Sequence, residues 1–244
     1  MFRPTPFTND GDPTVITELD DPIGFFRDHD FSCLRGVIDP NLCAAAVADA
    51  VTVQRTAMDA RSNPDGVWRL DEASPSLRAI FASASLRDAV VAAHGTTDVH
   101  FACWVVFERP AGASGTMWHR DAEFVPFQGD VVQFWLPLLP LPGGIGLKFV
   151  DAAAGADAPI AFGNLQPGDM TCHRQTVVHA GQTYDADTCG LSFITFGAGA
   201  VLEDSDAPLP HQKRMGMMTR LFPDQAFGEV AGGAGTPLLV DIAR

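Results

Sequence analysis

The stretch 116-TMWHRDAEFVPF-127 places a histidine and an aspartate, His119 and Asp121, two residues apart among apolar and aromatic neighbours. In a β-strand, residues i and i+2 point to the same side of the sheet. The pair can therefore offer an imidazole and a carboxylate to one metal ion. Such pairs are also common as purely structural polar residues, so the assignment depends on a third ligand elsewhere in the chain.

Two further histidines, His173 and His179, lie in the segment 168-GDMTCHRQTVVHAGQ-182, where a Gly-Asp turn precedes a predicted strand. Two imidazoles and one carboxylate on a β-scaffold bind one face of a metal ion and leave the other positions open, an arrangement associated with non-haem Fe(II) oxygenases. The open positions let a co-substrate and dioxygen reach the iron. Spacing alone allows either His179 or His173 to complete the set. The remaining histidine would then be a hydrogen-bonded residue of the core or its rim.

The first part of the chain predicts helices and one strand. Residues 16–31 are typical of a short amphipathic helix and residues 31–38 of a strand. Asp39-Pro40 opens an Ala-rich helix, with a capping residue followed by proline at the first helical position, and the pattern breaks at residues 62–66. A helical pair follows at residues 74–95, which begin with Ser-Pro and end with glycine.

From residue 98 the pattern changes to short segments rich in β-branched and aromatic residues, separated by glycine and proline. This pattern is typical of a sandwich or barrel of short strands. The predicted strands are residues 98–110, 131–139, 145–150, 170–179 and 190–199. Helices followed by a run of strands indicate the α+β class, with helices packed on one side of an all-β core.

The chain carries no long linker and no internal repeat, so we expect one domain over residues 1–244. It would comprise a helical part over about 16–97, a β-core over about 98–200 and a C-terminal extension over 201–244. The extension contains a basic cluster, 211-HQKRMGMMTRLF-222. This cluster is either a cap over a pocket or a packed terminus, and we favour the terminus.

Charge and composition exclude several classes of function. The net charge of −14 argues against nucleic acid as a partner, because phosphates require a basic surface. No apolar run approaches the roughly 20 residues that span a membrane, and the N-terminus lacks a secretory pattern. The five cysteines lie far apart and are typical of reduced thiols. We therefore expect a cytoplasmic protein with a small-molecule substrate and no membrane or nucleic-acid partner.

The stretch 24-GFFRDHDFSCLRGVIDPNLCAAAVADAV-51 resembles the N-terminal segment of the phytanoyl-CoA dioxygenase-like proteins, with its phenylalanine pair, strand and aspartate-proline helix start. The resemblance continues through 107-FERPAG-112, the WHRD of residues 118–121, 126-PFQGDVVQFWLPL-138 and the segment that ends at His179. The chain is similar to this family over residues 16–197, with the motifs in the same order.

The resemblance implies a double-stranded β-helix, a jelly-roll or cupin-like barrel with helices on one side. It implies that His119, Asp121 and His179 bind Fe(II), and that the protein consumes 2-oxoglutarate and O2. The implied reaction is hydroxylation of a small organic molecule, or a related desaturation or cyclisation. Halogenases of this fold have a small residue at the aspartate position, so Asp121 favours hydroxylation. Trp135 matches a tryptophan of the family's co-substrate pocket, and Arg109 falls at a position that is usually basic.

One family feature is missing. An arginine about ten residues after the distal histidine normally binds the far carboxylate of 2-oxoglutarate with its planar fork. Cys189 and Gly190 stand at that place. Because an unpaired buried carboxylate is unfavourable, we expect a cation from another strand to substitute: Lys148, Arg174 or Arg109. Alternatively, the protein uses its substrate or another acid in place of 2-oxoglutarate, or it has lost oxygenase activity.

Two other hypotheses explain the missing arginine. A cupin-like metalloenzyme would share the barrel and need no oxo acid, although the cupin pattern favours a histidine where Asp121 stands. The other hypothesis is a non-catalytic protein that binds a metal or ligand on an inherited barrel. Hydrolase and nucleotide chemistry find no support, since the chain has neither a Walker loop nor a GxSxG motif.

Overall fold

The computed structural model describes residues 11–56, 67–68, 74–109, 111–112, 115–123, 127–152, 158–197 and 200–202. Within these ranges the side chains of 50–56, 67–68, 100–109, 123, 127 and 201–202 are not described. Residues 203–244, which hold nearly all of the predicted C-terminal extension with its basic cluster, therefore lie outside the described residues, as does the side chain of Arg109.

Four α-helices are described, and the residues that precede them explain where they begin. The helices are α1 (Pro22–His29), α2 (Pro40–Thr56), α3 (Pro75–Ala82) and α4 (Ala84–His94). Ser74 caps α3 by accepting a hydrogen bond from the Leu77 amide, and Asp21 caps α1 through the Gly24 amide. The first helix is shorter than the predicted 16–31 because Pro22 sets its start. No described helix is long and apolar enough to cross a membrane.

The described strands are short, apart from β4 and β11. They are β1 (Thr14–Ile16), β2 (Phe31–Leu34), β3 (Val67–Trp68), β4 (Val99–Arg109), β5 (Phe127–Gln128), β6 (Val131–Pro137), β7 (Lys148–Phe149), β8 (Ile160–Phe162), β9 (Met170–Arg174), β10 (His179–Ala180), β11 (Thr188–Gly197) and β12 (Val201–Leu202). The predicted strand over 170–179 is in fact two strands, β9 and β10, separated by a turn in which the Val177 amide donates to the Arg174 carbonyl.

The strands form two main sheets. An antiparallel six-stranded sheet has the order β2-β9-β6-β11-β4-β3. A four-stranded sheet has the order β1-β8-β7-β10, in which only the β1–β8 pair is parallel. Strands β5 and β12 form a separate pair. The described chain is thus a mixed α/β structure with four helices and two antiparallel-rich sheets, which confirms the coarse form of the predicted α+β class.

The six-stranded sheet separates two apolar layers. On one face, Phe134 and Phe193 stack with ring centroids 4.9 Å apart and share a cluster with the helices, and Phe193 also meets Phe81 of α3 at 5.7 Å. On the other face, Phe31 stacks on Phe149 of the four-stranded sheet at 4.9 Å. Because side chains alternate along a strand, the residues between these anchors point toward the space between the sheets.

The four described thiols are free and buried, in agreement with the expectation of reduced cysteines: Cys33, Cys43, Cys172 and Cys189. Burial raises the pKa of Cys33 to about 12 and that of Cys43 to about 11. Such thiols stay protonated and unreactive at neutral pH.

Asp130 joins three elements at one edge of the structure. Its carboxylate binds the ring of His94 at the end of α4, with Nδ1 2.7 Å away, and the guanidinium of Arg174 at the end of β9. The other nitrogen of His94 lies 2.8 Å from the hydroxyl of Thr195 in β11. Burial raises the pKa of Asp130, but the hydrogen bonds and charges of His94 and Arg174 together have the larger effect. The pKa of Asp130 therefore lies below its ordinary value.

We expect Asp130→Asn to reduce the free energy of unfolding by about 1.5–3 kcal/mol at pH 7, the usual contribution of hydrogen bonds to a charged group. The folded-state pKa is lowered, so the contribution is complete above the unfolded pKa near 4 and is lost as the pH falls further. Urea unfolding at pH 7 and pH 3 measures this change. The variant's deficit should shrink at pH 3, and an equal deficit at both values would contradict the role of the charge. The exposed Asp88→Asn serves as the control.

Candidate metal centre

Reciprocal backbone hydrogen bonds bring two distant histidines together. The amide of His119 donates to the carbonyl of His179 at 3.0 Å, and the amide of His179 donates to the carbonyl of His119 at 2.9 Å. This is the hydrogen-bonded pair of an antiparallel ladder, reduced here to one isolated bridge. The two rings lie side by side, with centroids 4.2 Å apart.

Each of these rings is oriented by a carbonyl two residues earlier in the chain. Nδ1 of His119 lies 2.7 Å from the Met117 oxygen, and Nδ1 of His179 lies 3.2 Å from the Val177 oxygen. A carbonyl only accepts hydrogen bonds, so Nδ1 carries the proton in both rings and Nε2 keeps its lone pair. Backbone carbonyls play this part for many metal-binding histidines.

Asp121 does not lie on one regular strand with His119, contrary to the prediction. It begins a short 3-10 turn, Asp121–Glu123, directly after the isolated bridge. The Ala122 amide donates to the Gln175 carbonyl at 2.9 Å, which holds this turn against the segment after β9. The β-bridge ends at His119, and the chain turns at Asp121. The carboxylate of Asp121 nevertheless lies beside the rings of His119 and His179.

The ligand atoms of His119, Asp121 and His179 all lie within 4.8 Å of one another. Oδ1 of Asp121 is 3.7 Å from Nε2 of His119, and Oδ2 is 3.8 Å from Nε2 of His179. Asp121 and His179 are buried, whereas His119 is partly exposed. Two nitrogen donors and one oxygen donor thus converge from one side on a partly accessible point.

Burial and charge keep the donors in metal-binding forms. Burial lowers the pKa of His179 to about 4, so its ring is neutral at physiological pH. Burial raises the pKa of Asp121, but the neighbouring His179 and the hydrogen bond from His173 outweigh this and hold it below its ordinary value. Metal ligands must be deprotonated, and these groups already are.

His173, the alternative third ligand, occupies a different place. Its Nε2 lies 2.9 Å from Oδ2 of Asp121, and its ring centroid is 4.2 Å from that of His179. It lies in β9, directly opposite Gln133 of β6. The group of converging ligand atoms contains His179, and His173 contacts the carboxylate of that group instead.

A cavity of about 150 Å³ opens onto the three converging residues. Trp135 and Leu147 form apolar parts of its wall, and its polar groups include Gln133, Thr188 and Ser192. Among the described lining residues, Asp121 is the only one with a formal charge. The polar wall residues were absent from the sequence prediction. Gln133 and Ser192 could have been predicted, because each is a polar residue in a mostly apolar strand segment, 131-VVQFWLP-137 and 190-GLSFITFG-197.

The indole of Trp135 fills the space that a side chain at position 190 would need. A Cβ atom at Gly190 would lie 2.8 Å from Nε1 of Trp135, and one at Gly146 would lie 2.8 Å from the far edge of the same indole. The indole is therefore held between two glycines on neighbouring segments of the wall. A side chain at position 190, including the arginine that the family pattern puts in this region, would collide with it.

Two of the three proposed replacement cations lie away from the cavity. The guanidinium of Arg174 binds Asp130 and lies 5.1 Å from the ring centroid of Phe26. The ammonium of Lys148 lies 5.7 Å from the ring centroid of Trp118, while its neighbour Phe149 points into the core. The backbone of Arg109 is paired with that of Thr188, a cavity residue, and its side chain lies outside the described residues.

Comparison with solved structures identifies enzymes of similar fold. The non-heme alpha-ketoglutarate-dependent epimerase SnoN from nogalamycin biosynthesis superposes with a TM-score of 0.64 at 18% identity, over 78% of this chain and 86% of SnoN. The carbocyclase SnoK from the same biosynthesis gives 0.64 at 14%, over 84% and 94%. EvdO2 from Micromonospora carbonacea var. aurantiaca, complexed with 2-oxoglutarate, gives 0.60 at 15%, over 82% and 98%. At these identities the likeness is one of fold.

No protein-family model and no curated protein sequence matches the chain. The resemblance to the phytanoyl-CoA dioxygenase-like proteins therefore stays a prediction.

We expect Gly190→Ala to lower the free energy of unfolding by about 1–3 kcal/mol, because the added methyl group overpacks the site of the indole. Trp135→Leu in the same chain should remove most of that loss, and the difference between single and double variants gives the coupling. Urea unfolding of the four proteins measures it. Strictly additive losses would contradict the contact between these residues.

Proposed function

We propose that the chain is a non-haem Fe(II)- and 2-oxoglutarate-dependent dioxygenase that hydroxylates a small organic molecule. The observation that carries this proposal is the fixed tautomer of two histidines. Both Nδ1 atoms face carbonyls, so each Nε2 keeps its lone pair close to the carboxylate of Asp121. Two imidazoles and one carboxylate on one side are the donor set of the non-haem Fe(II) oxygenases. In this proposal His119, Asp121 and His179 are the iron ligands.

The likeness of fold supports the same class. The similar structures include an alpha-ketoglutarate-dependent epimerase, a carbocyclase and a non-heme monooxygenase, so one fold serves several outcomes. Asp121 occupies the position that a halide would need, so we propose hydroxylation, or a related desaturation or cyclisation, rather than halogenation. The proposal includes a double-stranded β-helix in a single domain over 1–244 and membership of the phytanoyl-CoA dioxygenase-like family. Buried free thiols favour a cytoplasmic location.

The residues of the chain would act by binding and positioning. Iron held by the triad would supply the activation of dioxygen, coupled to oxidation of the 2-oxo acid. Asp121 and the two histidines enclose one side of the site and leave the cavity side free for the co-substrate. Trp135 and Leu147 keep water from one wall of the cavity. A protected site of this kind prevents side reactions of reactive species.

The far carboxylate of 2-oxoglutarate needs a positive partner, and we assign this role to Arg109. The support is the backbone register, which pairs Arg109 with Thr188 at the cavity, together with the contacts that hold Arg174 and Lys148 elsewhere. Thr188 and Ser192 would add hydroxyl donors.

A cupin-like metalloenzyme that needs no oxo acid is the second candidate. Apart from Asp121, the described lining of the cavity carries no formal charge, which favours this candidate because such a cavity suits a neutral ligand. A test of oxo-acid binding separates the two.

We expect anaerobic addition of Fe(II) and then 2-oxoglutarate to produce the weak visible charge-transfer band of a chelated oxo acid. His179→Ala and Asp121→Asn should each lower iron affinity by more than about 100-fold, because loss of an outer-sphere partner alone costs about 10–100-fold. His29→Gln is the matched control, since His29 pairs with Asp151 outside the cavity.

Iron binding without the band would favour the cupin-like enzyme. Failure of the unchanged protein to bind iron would favour a non-catalytic protein and contradict the proposal.

We expect Arg109→Met to raise the apparent dissociation constant for 2-oxoglutarate by about 10–100-fold, the range of a lost hydrogen bond to a charged group. The constant for 2-oxoglutaramate, in which a neutral amide of the same size replaces only the far carboxylate, should change less. Lys148→Met is the matched control and should change neither. Equal constants for acid and amide in the unchanged protein would refute the assignment of Arg109.

A further inference from the structure

His173 is the most deeply buried polar ring beside the site, with 1% of its surface exposed. Two rings contact it, with centroid distances of 5.4 Å to Phe149 of the facing sheet and 4.2 Å to His179, and Phe31 is its backbone partner in β2. Its Nε2 lies 2.9 Å from Oδ2 of Asp121. Apart from this contact, its polar atoms make no hydrogen bond among the described residues, and Nδ1 is left without a partner.

The chemistry of the partner fixes the proton of this ring. An ionised carboxylate only accepts hydrogen bonds, so Nε2 of His173 carries a proton and donates it to Oδ2. The tautomer is therefore opposite to that of His119 and His179, whose Nδ1 atoms donate to carbonyls. A nitrogen that donates a proton has no lone pair for a metal ion. His173 thus differs from the two ligand histidines in its bonding as well as its position.

The hydrogen bond occupies one oxygen of the carboxylate. Oδ2 accepts from His173 and also lies 3.8 Å from Nε2 of His179, while Oδ1 lies 3.7 Å from Nε2 of His119. A carboxylate can bind a metal ion through one oxygen or both, and a short bond to an N–H group competes for one of them. Binding through a single oxygen leaves more positions for other ligands.

We propose that His173 is a positioning residue that holds Asp121 to one metal-binding oxygen, Oδ1, and so preserves open positions for a 2-oxo acid and dioxygen. This inference rests on the proposed function, because it takes Asp121 as an iron ligand. A buried polar atom without a partner normally lowers stability. A buried histidine with an unpaired Nδ1 and its one hydrogen bond to Asp121 agrees with a role at the site.

Paired variants test the proposal through metal affinity. Glutamine keeps an N–H donor, and leucine removes it while filling similar space. We expect His173→Leu to raise the dissociation constant for Co(II), followed by its visible absorption, by about 10–100-fold, and His173→Gln to restore most of the affinity. Melting temperatures of the metal-free proteins control for folding. Equal constants in all three proteins would overturn the proposal, as would complete loss in both variants, which would make His173 a ligand.

A measurement on the unchanged chain needs no variant to fold. In the Zn(II)-loaded protein with ¹⁵N-labelled histidine, His173 should appear with a protonated Nε2 and the two ligand histidines with a protonated Nδ1. An unprotonated, metal-shifted Nε2 in His173 would refute the inference. Metal binding with this pattern but without an oxo-acid band would contradict the proposed function alone. Failure of the unchanged chain to bind Co(II) and Zn(II) would contradict both.

Discussion

The pair of backbone hydrogen bonds between His119 and His179 is the constraint on which the site depends. It joins His119, in the segment that follows β4, to strand β10, which contains His179, and without it His119 would lie in a loop separate from that strand. The rings are then oriented by Met117 and Val177, carbonyls of the same two segments. Backbone thus positions both side chains, and ligands held in this way lose little freedom when a metal ion binds.

The register of the six-stranded sheet determines which side chains reach this constraint. In β6, β9 and β11, the residues Phe134, Cys172 and Phe193 pack toward the helices. Their neighbours Gln133, His173 and Ser192 line the cavity. A shift of one residue would exchange the two sets, burying amide and imidazole groups among the helices and exposing phenylalanine to the cavity. The apolar layer under the helices therefore specifies the polar cavity on the opposite face.

The sequence was informative wherever a local rule acts. Ser74 and Pro75 mark a helix start through capping chemistry alone, and the β-rich half follows from composition. Residue types and order gave His119 and Asp121 with either His173 or His179, and the choice of His179 came from the family resemblance. In the structure the ligand atoms of His119, Asp121 and His179 lie within 4.8 Å of one another. The face of the sheet to which each side chain points was harder to predict from the sequence, because tertiary contacts decide which alternate residues of a strand face the cavity. Lys148 and Arg174 were candidates for the cavity, yet their neighbours Phe149 and His173 take the inward positions, so both cations face away. The turn at Asp121 was missed because the HxD pattern is the same in a strand and at its end.

The side chain of Trp135 occupies the space beside position 190, in the region where the family pattern places the missing arginine. The indole of Trp135 fills the space that any side chain at position 190 would need, with Gly146 closing its other side. An arginine at position 190 and this tryptophan placement exclude each other sterically. Gly190→Arg alone would not create a carboxylate site, because the added side chain would first have to displace an indole packed between two backbone segments. In the proposed function, recognition of the far end of the co-substrate falls to the adjacent strand β4 and to the hydroxyl groups of Thr188 and Ser192, which flank Gly190 along β11.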